Sequence, residues 1–144
     1  MSTEILKPFG PSILKVIIPD EIVSDMNNYV DKLILDQDKL SNLDHGKYLE
    51  GNVHREFRLG AEFMQKIKWP EFLASSCQKW LLEGHNISIK KFDIIASWII
   101  QQYKNDYNPI HYHSGQISGV GYLKVQQDMG ENIQKSKKNN DNGK

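Results

Sequence analysis

The sequence predicts an α+β fold, with helices in the first half of the chain and consecutive antiparallel strands in the second. Three observations carry that expectation. Apolar residues recur at helical spacing through residues 22–33 and again through 63–81. From residue 85 onward the pattern changes to short isoleucine-rich runs with aromatic punctuation, which suit strands. Helices followed by strands, rather than alternating with them, point to α+β and to a small barrel or sandwich in the second half. At 144 residues and 16.7 kDa the chain has room for one domain with a single modest core.

Taken in order, residues 13–18 (ILKVII) are β-branched and end at Pro19, as a strand entering the domain would. Pro19, Asp20 and Glu21 suit a helix start, the proline by its fixed φ and the acids by complementing the positive end of the helix dipole. Ile22, Met26, Tyr29, Val30 and Leu33 then form an apolar stripe, opposite Asp25, Asn28, Asp31 and Lys32. Periodicity fades across 36–60, which reads as a long loop with a short strand near 53–59. His45 and His54 fall there, without a second metal donor at a recognised spacing. Residues 62–82 form a second helical region, interrupted at Pro70 and stopped at Gly84. Trp69 and Trp80 read as packing residues on it. Residues 85–92 and 94–103 read as strands, 104–109 as a turn, and 117–125 as a last strand in which Gly119 and Gly121 signal close backbone approach or a bend. The tail, 126–144, is polar and too poor in apolar residues to offset its ordering entropy.

Composition narrows the function classes. Eighteen basic and eighteen acidic residues cancel, so no global field draws in nucleic acid or an acidic membrane surface. The tail lysines Lys135, Lys137, Lys138 and Lys144 are diluted by Asn and Asp, without an aromatic platform, and argue weakly for nucleic acid. The single cysteine, Cys77, fits a reducing compartment and a core position. No apolar run reaches the roughly eighteen residues of a spanning helix, and residues 1–11 lack a signal-peptide pattern. The expectation is a soluble cytoplasmic protein with no membrane and no nucleic-acid partner, its oligomeric state open.

The chemistry concentrates in residues 103–125, YKNDYNPIHYHSGQISGVGYLKV. In an extended chain, residues two apart share a face, so His111 and His113 would look into one space. Neutral imidazole is the commonest ligand for first-row transition metals, and H-x-H on a strand presents two such nitrogens without a turn. Spacing alone is equally compatible with two surface histidines, or with one histidine hydrogen-bonded in a core. Two histidines are also only part of a site, which needs a third ligand.

The run QQYKNDYNPIHYHSGQISGVGYLKV resembles the first metal-binding strands of the iron(II)- and 2-oxoglutarate-dependent dioxygenases, in the prolyl-hydroxylase-like branch of marine bacteria and their phages. There H-x-H followed by S-G-V-x-Y-L recurs where many relatives have H-x-D. FGPSILKVIIPDEIVSDMNNYVDK is similar to that branch's opening strand and helix, which extends the resemblance over most of residues 9–125. The resemblance implies N-terminal helices packed on a double-stranded β-helix, a jelly-roll barrel, holding Fe(II) and 2-oxoglutarate. It implies His111 as the first iron ligand and His113 at the position where relatives place an aspartate. A neutral nitrogen there leaves more charge on the metal, so the second ligand is either His113 or a carboxylate elsewhere. Tyr122 matches a tyrosine that contacts 2-oxoglutarate in prolyl hydroxylases, and Tyr103 lies near a second; Tyr103 is equally an aromatic closing a strand. The implied reaction couples decarboxylation of 2-oxoglutarate, with oxygen, to hydroxylation of an unidentified substrate, for which a peptide side chain is favoured by family analogy alone.

No histidine and no arginine follow His113, whereas the family takes its distal histidine and a basic 2-oxoglutarate partner from later strands. The pattern therefore reads as one domain broken off before its later strands: strand and helices in 1–84, barrel strands in 85–125, polar loop or tail in 126–144. Two other readings compete. A cupin also carries H-x-H, but its following glutamate is here Gln116, and the next glutamate is Glu131. A non-catalytic fragment or interaction domain is the alternative from a different class.

Overall fold

The computed structural model describes residues 3–36, 55–103, 106 and 111–125. The expectations for the loop at 37–54, for His45 and His54, for most of the turn at 104–109 and for the tail at 126–144 lie outside the described residues.

Four short strands and three helices make up the described fold, an α+β arrangement with two separate two-stranded antiparallel sheets. Strands β1 (Thr3–Leu6) and β2 (Ile13–Val16) form a hairpin in which Thr3 faces Val16 and Ile5 faces Leu14. Those four residues are half-buried, while Glu4 and Lys15 pair on the outer face, 3.9 Å apart. The alternation is the period of two that a half-covered strand requires. β1 was not legible in the sequence, where the opening residues carry no strand signal beyond Ile5 and Leu6.

Helix α1 (Asp20–Leu35) starts where Pro19 and the two acids predict, with the Pro19 carbonyl accepting the first helical hydrogen bond from Val23 N–H at 3.1 Å. Ile22, Met26 and Leu33 are buried, and Asp25, Asn28, Asp31 and Lys32 are exposed, as the stripe requires. The second helical region is two helices. α2 (Ala61–Lys66) stops at Ile67, and Lys68 takes a left-handed conformation (φ 57°) before α3 (Trp69–His85) begins with Pro70 in its first turn. The proline has no N–H to lose there. α3 does not stop at Gly84: it runs one residue further and ends at Asn86, itself left-handed (φ 55°), whose N–H bonds to the Leu82 carbonyl at 3.0 Å. Asparagine tolerates that conformation well.

Strand β3 (Arg55–Arg58) falls inside the strand expected near 53–59 and pairs antiparallel with β4 (Trp98–Gln101), Phe57 opposite Ile99. Phe57 is fully buried. The core gathers Ile22, Met26, Leu59, Ile67 and Phe72, with Ile18, Tyr29, Trp69, Ile99 and Leu123 packed around it. Tyr29 stacks on Phe63 at 4.1 Å, and Trp69 on Phe72 at 5.4 Å.

The second half departs from the expected run of strands. Residues 85–92 are not a strand: His85 belongs to α3, and the segment then turns back along that helix, where the Gln78 side-chain carbonyl accepts from Ile89 N–H at 3.2 Å. Its apolar residues Ile89 and Phe92 are half-buried without a ladder, because helix side chains supply the hydrogen bond that a strand neighbour would. Of residues 94–103 only β4 is paired. Residues 111–113 and 117–125 are irregular, with no ladder among the described residues. The glycines disfavour a strand interior, and side-chain anchors hold the segment instead.

Candidate metal centre

The anchors that hold the end of residues 111–125 come from the first half of the chain. Leu123 packs on the core, and the neighbouring Gly121 lies so close to Ile18 that a Cβ there would sit 3.0 Å from Ile18 Cδ1. This is the close approach that Gly121 suggested; Gly119 opens onto space. Lys124 bridges to Asp31 of α1 at 3.1 Å. At the other end Gly115 takes a positive φ of 119°, with Ile95 Cδ1 only 3.1 Å from where a Cβ would stand. That turn returns the chain after the histidines, and only glycine adopts it without strain.

Upstream of Gly115, His111 and His113 come together. Their rings are nearly perpendicular, with centroids 4.6 Å apart, and Nε2 of one lies 2.9 Å from Nε2 of the other. This contact needs one ring to carry its proton on Nε2 and the other to offer a lone pair there. Both rings are exposed, on irregular backbone rather than inside a strand. Two imidazole nitrogens on one tetrahedral zinc, each about 2.0–2.1 Å from it, stand about 3.3 Å apart. One divalent ion could therefore take both only after the rings part slightly and turn their Nε2 lone pairs towards a common point off the line between them.

The donor set is two neutral nitrogens. Among the described residues no group of three or more His, Cys, Asp and Glu side chains surrounds a common point. Tyr122 and Tyr103 stand differently. Tyr122, held between Gly121 and Leu123, directs a 74 % exposed side chain outward and makes no hydrogen bond or ring contact with either histidine. Tyr103 is 52 % exposed at the end of the β4 segment, its N–H bonded to Asp106 Oδ2 at 2.9 Å and its carbonyl accepting from Asp106 N–H at 3.0 Å.

Two residues in contact with histidines escaped the sequence reading. Trp98 of β4 lies against the His113 ring, centroids 5.3 Å apart and planes tilted by 47°. Its only sequence signal was to be the aromatic of the strand preceding the histidines. Ser12 sits in the β1–β2 loop, 4 % exposed, where its Oγ accepts from Trp80 Nε1–H at 2.8 Å and lies 2.6 Å from His85 Nε2. These partners are 68 and 73 residues away in the chain, so no local pattern could link them.

Comparison of the chain with protein-family models, with curated proteins and with solved structures returns no match.

Proposed function

We propose that this chain contributes the metal-binding portion of an iron(II)- and 2-oxoglutarate-dependent oxygenase, with His111 and His113 as two of the metal's donors. The observation that carries the reading is the 2.9 Å approach of the two Nε2 atoms, joined to the motif resemblance of residues 101–125. The two histidines are exposed imidazole donors close enough to share one ion after a small rotation of the rings. A third ligand, and the remaining strands of a jelly-roll barrel, would come from outside the described residues. Iron bound there would supply the open positions at which oxygen and 2-oxoglutarate react to give succinate, carbon dioxide and a hydroxylated substrate. Tyr122 would serve as a hydroxyl donor to 2-oxoglutarate, its backbone already fixed by its neighbours, and Tyr103 as a second. Peptidyl substrates are the class that the resemblance favours.

A second reading takes the same pair as a metal-binding module without oxidative chemistry, cupin-like or non-catalytic. The absence of an anionic donor beside the pair, among the described residues, favours its non-catalytic form, since both an oxygenase and a cupin complete their sites with a carboxylate. One experiment separates the two. Thermal denaturation is followed under nitrogen with Fe(II), Mn(II) or Ni(II), with and without 2-oxoglutarate, for the wild type and for His111→Ala. Stabilisation by the metal that grows with concentration, is lost in His111→Ala and is enhanced by 2-oxoglutarate is the expected outcome. A metal shift that 2-oxoglutarate leaves unchanged favours the second reading. No shift with any divalent metal overturns both.

A further inference from the structure

We infer that Trp98 is a positioning residue for the histidine pair, holding the His113 ring at the orientation in which its Nε2 meets that of His111. The inference rests on the reading of the pair as metal donors and goes beyond it, because neither the motif nor the resemblance assigns Trp98 a role.

A metal-binding histidine is useful only if its ring is oriented before the ion arrives, and its surroundings usually supply that orientation. Residues 111–113 lack a strand ladder to do so. Trp98, by contrast, is held from several sides. It pairs with Arg58 in the β3–β4 ladder, and the next residue, Ile99, packs on the core opposite Phe57. The residue before it, Ser97, accepts Leu59 N–H on its carbonyl at 2.9 Å and Trp69 Nε1–H on its hydroxyl at 3.1 Å. The strand that carries the indole is therefore fixed to the core, and the His113 ring leans on the indole at 5.3 Å, inside the 4.5–7 Å range of favourable aromatic pairs. The tilt leaves the Nε2 edge of His113 pointing to His111 rather than into the indole, as the 2.9 Å contact requires.

The test uses the full chain labelled with 13C at histidine Cε1, Zn(II) as the probe, and the variants Trp98→Leu, Trp98→Phe and His113→Ala, the last to assign the His113 resonance. In the metal-free wild type the indole ring current displaces the His113 Hε1 resonance. Trp98→Leu abolishes that displacement and weakens Zn(II) binding about fivefold by calorimetry, within the range that an aromatic contact supplies. Trp98→Phe keeps a smaller aromatic face, so most of the affinity returns while the His113 displacement is reduced to a value between those of the wild type and Trp98→Leu. The phenylalanine variant also covers the case in which leucine unfolds the sheet, since a folded Trp98→Phe with wild-type denaturation still has to show an altered His113 resonance. Wild-type Zn(II) affinity and an unmoved His113 resonance in a folded Trp98→Leu, or an unmoved His113 resonance in Trp98→Phe if leucine does not fold, overturn the role of Trp98 while leaving the metal reading intact. No Zn(II) binding by the wild type overturns the metal reading and the positioning role with it.

Discussion

Gly115 shows how one residue governs the candidate centre. The chain reverses after His113 through a φ of 119°, a conformation that costs a side-chain-bearing residue about 1–3 kcal/mol. A Cβ would also press on Ile95 Cδ1 at 3.1 Å. Gly115→Ala is therefore expected to destabilise the folded chain by about that amount in urea denaturation. Gly119→Ala, where nothing lies within 4 Å, is the control and should be neutral or stabilising by up to about 1 kcal/mol. Equal effects from the two would show that the turn is not under the constraint described. Both glycines look alike in sequence; only backbone geometry separates them.

At the scale of elements, the β1–β2 loop is fastened to the end of α3 by Ser12. Its hydroxyl takes the Trp80 indole proton and meets His85, and Lys7 Nζ from the same loop donates to the Gly84 carbonyl at 3.1 Å. A Cβ at Gly84 would meet Ser12 Oγ at 3.4 Å, an ordinary van der Waals contact, so the close packing of the loop does not depend on the glycine. Ser12→Ala leaves the Trp80 N–H without this acceptor and should cost about 1–3 kcal/mol. Trp80→Phe in the Ser12→Ala background removes the stranded donor and should recover part of the loss. A Ser12→Ala chain within about 0.5 kcal/mol of wild type would mean that water replaces the hydroxyl freely. The helix boundaries were largely legible, because proline, acids and apolar stripes act locally. The strands at 85–92 and 117–125 were misread for a complementary reason: isoleucine, valine and aromatics favour any half-buried surface, and here the surface offered is a helix flank or the core rather than a neighbouring strand.

For the whole molecule, one small core joins α1, α2, α3, the β3–β4 sheet and the segment that carries the histidines, through Leu123. No helix among the described residues is long and apolar enough to cross a membrane. Cys77 on α3 reports on this packing, because burial pushes its thiol above the ordinary value. A raised folded-state value means that the folded chain holds the proton more tightly than the unfolded one. The stabilisation is fully present below the ordinary thiol range and is lost as pH rises through the folded value. Stability of the wild type should therefore fall on the alkaline side relative to Cys77→Ala, with no such divergence near neutrality. Iodoacetamide should alkylate Cys77 with a midpoint above that of a free thiol. A midpoint at or below the free-thiol value would contradict the burial.

What the sequence determined by itself is the part set by short-range chemistry. The α+β class, α1 with its buried stripe, the restart of α3 at Pro70, β2 and the placing of β3 all follow from spacing and from the special backbones of proline and glycine. The two-residue spacing also marked His111 and His113 as candidates. Tertiary structure alone decided their surroundings: Trp98 against His113, Gly121 against Ile18, and Ser12 between Trp80 and His85. Each joins residues far apart in the chain. Such a contact depends on how separate elements stack to cover one core, and neither partner's local pattern carries any mark of the other.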